Sequence, residues 1–293
     1  MTLNNKTLRL IFPDWQNGAS SSSGFVPRLL ATIAPQCDQS ESVEVPLPES
    51  MLGPHSTDLM SAQASNLLTE MDFRGFYAAT RRILDEKKPA RVITFSTDGT
   101  VTLCSTDYLH EQYQDLGLLW LDLHQEHITP ERFWRKRVIV TNALTGGCEE
   151  LSGLIHKPMD RERILYVCRQ ADEIPPVDRR EFQHQGISMA GSEALEADSR
   201  KIADWIRSLG LRHLSVHVDL DSVGAADLRS GILREENLRN ISEKVQSDVD
   251  KLKVLFKEIL KETDIVGFDL MEYELFQSEK FTELMKELPI FNE

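Results

Sequence analysis

Cysteine is scarce in this chain, four residues in 293, and no two of them form a C-x-x-C pair. Cys37, Cys104, Cys148 and Cys168 are widely scattered and read as reduced thiols of a cytosolic protein. Long apolar runs are also missing. The opening MTLNNKTLRLIF has no hydrophobic leader core, and no run nears the length of a membrane span. The expectation is therefore a soluble, cytoplasmic protein without a membrane partner. Basic residues are outnumbered, 33 against 47 acidic, for a net charge of −14. That balance excludes nucleic acid and anionic membrane faces as default partners. No internal repeat is visible, no G-x-S-x-G elbow marks a serine nucleophile, and no G-x-x-x-x-G-K loop marks a phosphate cradle.

What is present is a large hydrophobic fraction, 41%, enough for a substantial core. Apolar strand patterns occur at Leu8–Phe12, Val43–Leu47, Val92–Phe95, Leu118–Leu121, Ile164–Cys168, Ile187–Ala190, His213–Leu220 and Ile265–Leu270. Helical patterns lie between and around them: Phe25–Ile33, Leu67–Glu86, Val101–Tyr113, Phe133–Leu144, Asp178–His184, Glu193–Leu209 with Ser192 as N-cap, Ile241–Leu260 and Ser278–Lys286. The segment Cys37–Asn66 is Ser/Pro/Glu-rich and the least ordered in pattern. Seven or so strands separated by helices predict an α/β chain with a mostly parallel sheet covered on both faces, a single domain over residues 1–293.

Three strands end in acidic clusters. Asp122-Leu123-His124-Gln125-Glu126 puts carboxylate, imidazole and carboxylate on alternate residues, which extended geometry aims the same way toward one divalent metal. Asp219 and Asp221 alternate at the end of the His213 strand, and Asp269 and Glu272 follow the Ile265 strand. Clustered carboxylates repel one another unless a cation sits among them. In open α/β sheets, ligands bind at such carboxyl ends.

With these motifs in this order, the chain resembles the arginase/agmatinase (ureohydrolase) superfamily from LRLIFPDWQNG to DLMEYE. The resemblance implies a three-layer αβα sandwich, a binuclear manganese centre, and hydrolysis of a guanidino or amidino C–N bond. It also implies a homo-oligomer, trimer or hexamer, and a small guanidino-type ligand. Carried over residue by residue, the metal ligands would be Asp122, His124, Glu126, Asp219 and Asp221. Asp122 and Glu272 would act in catalysis, and Asp269 and Glu272 would hold the substrate.

The resemblance also exposes departures. Gly99, in Ser96-Thr97-Asp98-Gly99-Thr100, stands where the family has a ligand histidine, and Glu126 stands where it has aspartate. Gly224-Ala225 replaces an Asp-Pro, and the family's proton-transfer histidine has no counterpart near Val138, His127 being the nearest. By this correspondence one metal site, Asp122, His124, Asp219 and Asp221, is complete. The other lacks a ligand, and losing even an outer-shell partner typically costs about 10–100-fold in affinity. The expectation is one Mn²⁺ at most. Two functions stay open: a weakly active or non-catalytic protein in a binding, regulatory or partner-subunit role, and an active metal-dependent hydrolase with an unusual ligand set.

Smaller features have plain readings. His217 alternates with Asp219 and could join the cluster, although a histidine in a buried strand is more often a hydrogen-bonded core residue. Gly146-Gly147 reads as a helix stop, Arg135-Lys136-Arg137 as a solvated helix face, and Trp15 and Trp120 as residues in or beside the core.

Overall fold

The computed structural model describes residues 3–13, 26–46, 64–96, 99–122, 139–147, 151, 153–168, 180, 183–196, 200–219, 235–271 and 278–292. Among the described residues, eight strands run in chain order: β1 Asn4–Ile11, β2 Ser40–Glu44, β3 Pro89–Ser96, β4 Leu116–Asp122, β5 Ile164–Cys168, β6 Ser188–Ala190, β7 His213–Asp219 and β8 Asp264–Met271. They form one sheet in the order β2-β1-β3-β8-β7-β4-β5-β6, with every pairing parallel. Parallel neighbours need crossovers that return the chain to the same edge, and helices supply them. These are α1 Val26–Ile33, α2 Ala64–Lys87, α3 Thr102–Gln112, α4 Lys201–Leu209, α5 Glu235–Ile259 and α6 Ser278–Glu287.

The central strands are buried on both faces because both faces are covered. One core layer packs Leu30 of α1, Ile202 and Ile206 of α4, Val249 and Phe256 of α5 and Phe281 of α6 against Phe95, Val218 and Leu270. The opposite layer packs Phe76 and Tyr77 of α2 and Leu103 and Tyr108 of α3 against Val92, Trp120 and Tyr166. This is the expected αβα sandwich, with a sheet that is parallel throughout its described strands.

Helix α3 is unusual: every residue from Thr102 to His110 is buried. It leaves β3 and leads to β4, and these strands are separated in the sheet by β8 and β7. The helix therefore lies across the middle of the sheet, between it and α2. Burial on all sides explains why TLCSTDYLH carries no amphipathic stripe.

Arg9 on β1 is 1% exposed; its Nη2 donates to the Ala31 carbonyl at 2.6 Å and its Nη1 to Pro35 at 3.3 Å. A guanidinium at the carboxyl end of α1 complements the helix dipole. Burial lowers its pKa.

Two expected elements differ. The helix predicted over Glu193–Leu209 is a 3-10 turn, Ser192–Leu195, followed separately by α4. Ser192 is not an N-cap there: Gly191 precedes the turn without a side-chain cap, and Glu193 folds back onto the Gly191 N–H at 3.3 Å. The strand predicted at Val43–Leu47 sits earlier, at Ser40–Glu44, where its partners on β1 are Thr7 to Ile11. Gly146 does stop its helix, with φ +79° in the left-handed region. Among the described residues, no helix is long and apolar enough to cross a membrane.

Candidate functional site

Register lines up two rows of side chains on the α3 face of the sheet. The deeper row runs Thr94–Asp269–His217–Trp120–Tyr166 across β3, β8, β7, β4 and β5. Two residues further toward the carboxyl ends, Ser96, Met271 and Asp219 form the outer row on β3, β8 and β7. Asp122 closes β4 opposite Cys168, and it follows Leu121, which pairs with Val218. Asp122 and Asp219 thus end neighbouring strands. Asp219 is 2% exposed. The side chain of Asp122, and the whole of Asp98, His124, Glu126, Asp221 and Glu272, lie outside the described residues, as do Arg135-Lys136-Arg137 and Trp15. Among the described residues, no group of three or more His, Cys, Asp or Glu is placed to hold a metal ion.

The deeper row is a polar network roofed by α3. Ser105 Oγ donates to Asp269 Oδ1 at 3.0 Å. Asp269 is completely buried, and desolvation pushes its carboxyl up to about 6, against the pull of the Thr94, Ser105 and Thr102 hydroxyls. Among the described residues, Thr94 Oγ1 is buried and makes no well-formed hydrogen bond. Next along the row, Thr102 Oγ1 lies 2.8 Å from His217 Nδ1. The His217 ring stacks on Trp120 with centroids 3.9 Å apart and planes 28° apart. Among the described residues, Trp120 Nε1 is buried without a hydrogen-bond partner.

Gly99 closes the arrangement. It opens the 3-10 turn Gly99–Val101 between β3 and α3. A Cβ at this position would lie 3.2 Å from His217 Cε1, 3.4 Å from Trp120 Cζ2 and 3.7 Å from His217 Nε2. The place where a side chain at 99 would begin is lined by an imidazole from β7 and an indole from β4. His217 is thus hydrogen-bonded and buried, as the plain reading of a strand histidine expects, and it also borders the strand ends where ligands bind in such sheets.

Sequence patterns alone did not single out Thr102 or Ser105. Their signal was available in principle: a helix with hydroxyls on every side is one whose every side meets protein, and each hydroxyl then needs a partner.

No family model and no curated protein sequence matches the chain. Solved structures do. The arginase of Entamoeba histolytica, in complex with L-ornithine, superposes with a TM-score of 0.63 over 99% of this chain and 98% of its own, at 13% identity. The chain has the arginase fold. The same fold relates it to the proclavaminate amidino hydrolase of Streptomyces clavuligerus, with a TM-score of 0.56, 14% identity, and 99% and 92% of the two chains covered. The formimidoylglutamase of Bacillus subtilis superposes with a TM-score of 0.56 at 8% identity, over 97% of this chain and 86% of that one. At such identities the likeness establishes the fold alone. The resemblance seen in the strand-end motifs is thereby matched in three dimensions along nearly the whole chain. In the arginase fold adopted here, the outer of the two rows on the α3 face lies at the carboxyl end of the sheet.

Proposed function

We propose that this chain is a divergent, ureohydrolase-like protein of arginase fold that holds at most one divalent metal at the carboxyl ends of β4 and β7. It would bind a guanidino-type ligand with little or no hydrolysis, in a binding, regulatory or partner-subunit role. Gly99 is the observation that carries this reading. A position packed this tightly against His217 and Trp120 offers no donor atom and little space for one.

A single cation suits the remaining residues. Asp219 is buried beside the end of the strand that carries Asp122, and two adjacent carboxylates are mutually repulsive without a cation. Asp122, His124, Asp219 and Asp221 would hold it, Mn²⁺ by the family resemblance. When bound, the ion supplies Lewis-acid chemistry. Glu272 would face the guanidino group, and Asp269, held beneath by Ser105, would position that strand end. Loss of a general acid for the leaving amine costs a further ~10²–10⁴-fold in rate.

Elemental analysis after exposure to Mn²⁺ and removal of excess tests the proposal on the wild-type chain and on Asp219→Ala. One equivalent in the wild type, absent from the variant, is the expected result. Two tightly held equivalents with rapid turnover of guanidino compounds would overturn it, whereas no metal in either protein would exclude the one-metal hydrolase and leave the non-catalytic role standing. An active one-metal hydrolase is the second reading. It is favoured by the presence of an imidazole, His217, at the same end of the sheet.

A further inference from the structure

We propose that the cleft between α2 and residues 153–156 binds a small zwitterion, an α-amino acid with an apolar side chain. None of the residues lining this cleft belongs to a strand, and the site needs no metal.

The cleft encloses about 500 Å³, a size usual for small-molecule sites. Its two walls are tied together before any ligand arrives. Tyr77 Oη lies 2.7 Å from the Leu154 carbonyl oxygen. His156 Nδ1 lies 2.9 Å from Glu111 Oε1, which also accepts from Arg81 Nη1 at 2.9 Å. A site whose walls are fixed in this way costs little ordering entropy to fill.

Charge selects the ligand. Arg81 directs Nε to Asp85 at 2.9 Å, Nη1 to Asp107 at 3.2 Å and Nη2 to Glu111, so each of its nitrogens already meets a carboxylate. Arg82 and Glu86 differ. Both are exposed at the cleft, and among the described residues neither makes an ion pair or a hydrogen bond. Arginine placed before glutamate is the weaker order for a pair at this spacing, and here the two charges stay apart.

A simple anion drawn to Arg82 meets Asp85 and Glu86, and a simple cation drawn to Glu86 meets Arg82. Like charges brought together so are costly. A zwitterion avoids both conflicts, its carboxylate accepting from the Arg82 guanidinium and its ammonium donating to Glu86. Residues four apart on a helix hold their Cβ atoms about 5–6 Å apart, a span that two groups on one α-carbon can bridge.

The ligand's side chain has a surface of its own. Ala78 and Gly153 are exposed at the cleft and Leu154 is half-buried there. A Cβ added at Gly153 would meet nothing within 4 Å, so this wall stands clear. An apolar chain laid against it leaves water for apolar contact.

The test is calorimetric titration of the full chain near neutral pH, with a chelator present to keep the strand ends metal-free. The probes are L-leucine, L-methionine and L-phenylalanine, each beside the acid that lacks its amino group and the amine that lacks its carboxylate. At least one amino acid should bind at one equivalent, with both of its analogues at least about 10-fold weaker. Arg82→Gln and Glu86→Gln should each weaken it by at least about 10-fold. Both positions are exposed, and urea midpoints at the wild-type value verify that the variants fold. No saturable binding of any of the three, or binding undiminished in either variant, would overturn the proposal. An amine or an acid binding as tightly as its amino acid would overturn it as well, because one charge would then suffice.

Discussion

Tyr77 Oη donates to Asp107 Oδ2 across 2.5 Å and also lies 2.7 Å from the Leu154 carbonyl oxygen. This one hydroxyl ties α2 to α3 and to the segment beyond Gly153. Burial raises the Asp107 pKa, and the Tyr77 hydrogen bond and Arg81, whose Nη1 is 3.2 Å away, pull it down. Tyr77→Phe leaves a buried carboxylate with one donor fewer. Its expected cost is about 1–3 kcal/mol, read as a lower urea midpoint at unchanged slope. A midpoint within error of wild type would show that the hydroxyl contributes nothing.

Asp269 sets a pH dependence. Its folded pKa, about 6, lies above the ordinary aspartate value, so the fold holds this proton more tightly than the unfolded chain does. The associated stabilisation is complete below pH ~4 and is lost as pH rises through about 6. Metal-free wild type should lose roughly 3 kcal/mol across that window relative to Asp269→Asn, which cannot titrate. Parallel pH profiles for the two proteins would contradict the assignment.

Restoring a histidine at position 99 should not restore a second metal. Its Cβ would press on His217 Cε1 at 3.2 Å and on Trp120 Cζ2 at 3.4 Å. Gly99→His is expected to destabilise the chain by about 1–3 kcal/mol through overpacking. Adding His217→Ala should recover much of that loss. Thermal melts with metal analysis of the single and double variants check this; a stable single variant with two metals would refute it.

Arg9→Met removes the buried guanidinium that donates to Ala31 and Pro35 at the end of α1. The methionine fills a similar volume beside Phe95, whose ring the guanidinium overlies at 5.2 Å. Lost charge-assisted hydrogen bonds predict a cost of about 1.5–3 kcal/mol. Arg9→Lys should fall between the two, since one ammonium cannot reach both carbonyls in the same geometry. Urea denaturation of the three proteins ranks them.

Strands were easy to read from the sequence where burial is two-sided: Ile164–Cys168 is continuous apolar sequence and is found as β5 with those bounds. The helix break after Leu195 was not legible. Leu195, Ile202 and Ile206 are all buried in one cluster, and their spacing of seven and four also suits a single continuous helix. Acidic residues at the ends of apolar runs pointed to the carboxyl end of the sheet, and Asp219 and Asp269 are found on β7 and β8. What the imidazole of His217 touches was hidden for a different reason. Its partner Thr102 is 115 residues away in sequence, and Gly99 carries no side chain to suggest a contact. Local pattern reports the face a residue presents; which residue meets it depends on the strand order, with β8 and β7 inserted between β3 and β4.

That insertion has a consequence for how the chain is made. Helix α3 is complete by Gln112, but the strands it crosses, β7 and β8, are not synthesised until Asp219 and Met271. Until then the hydroxyls of Thr102 and Ser105 have neither His217 nor Asp269 to meet, and the helix has no sheet centre to rest on. Closure of such distant contacts is slow. The nascent chain must therefore carry its central helix without these partners until β7 and β8 are made, and a product truncated before Asp264 should be unable to bury it fully.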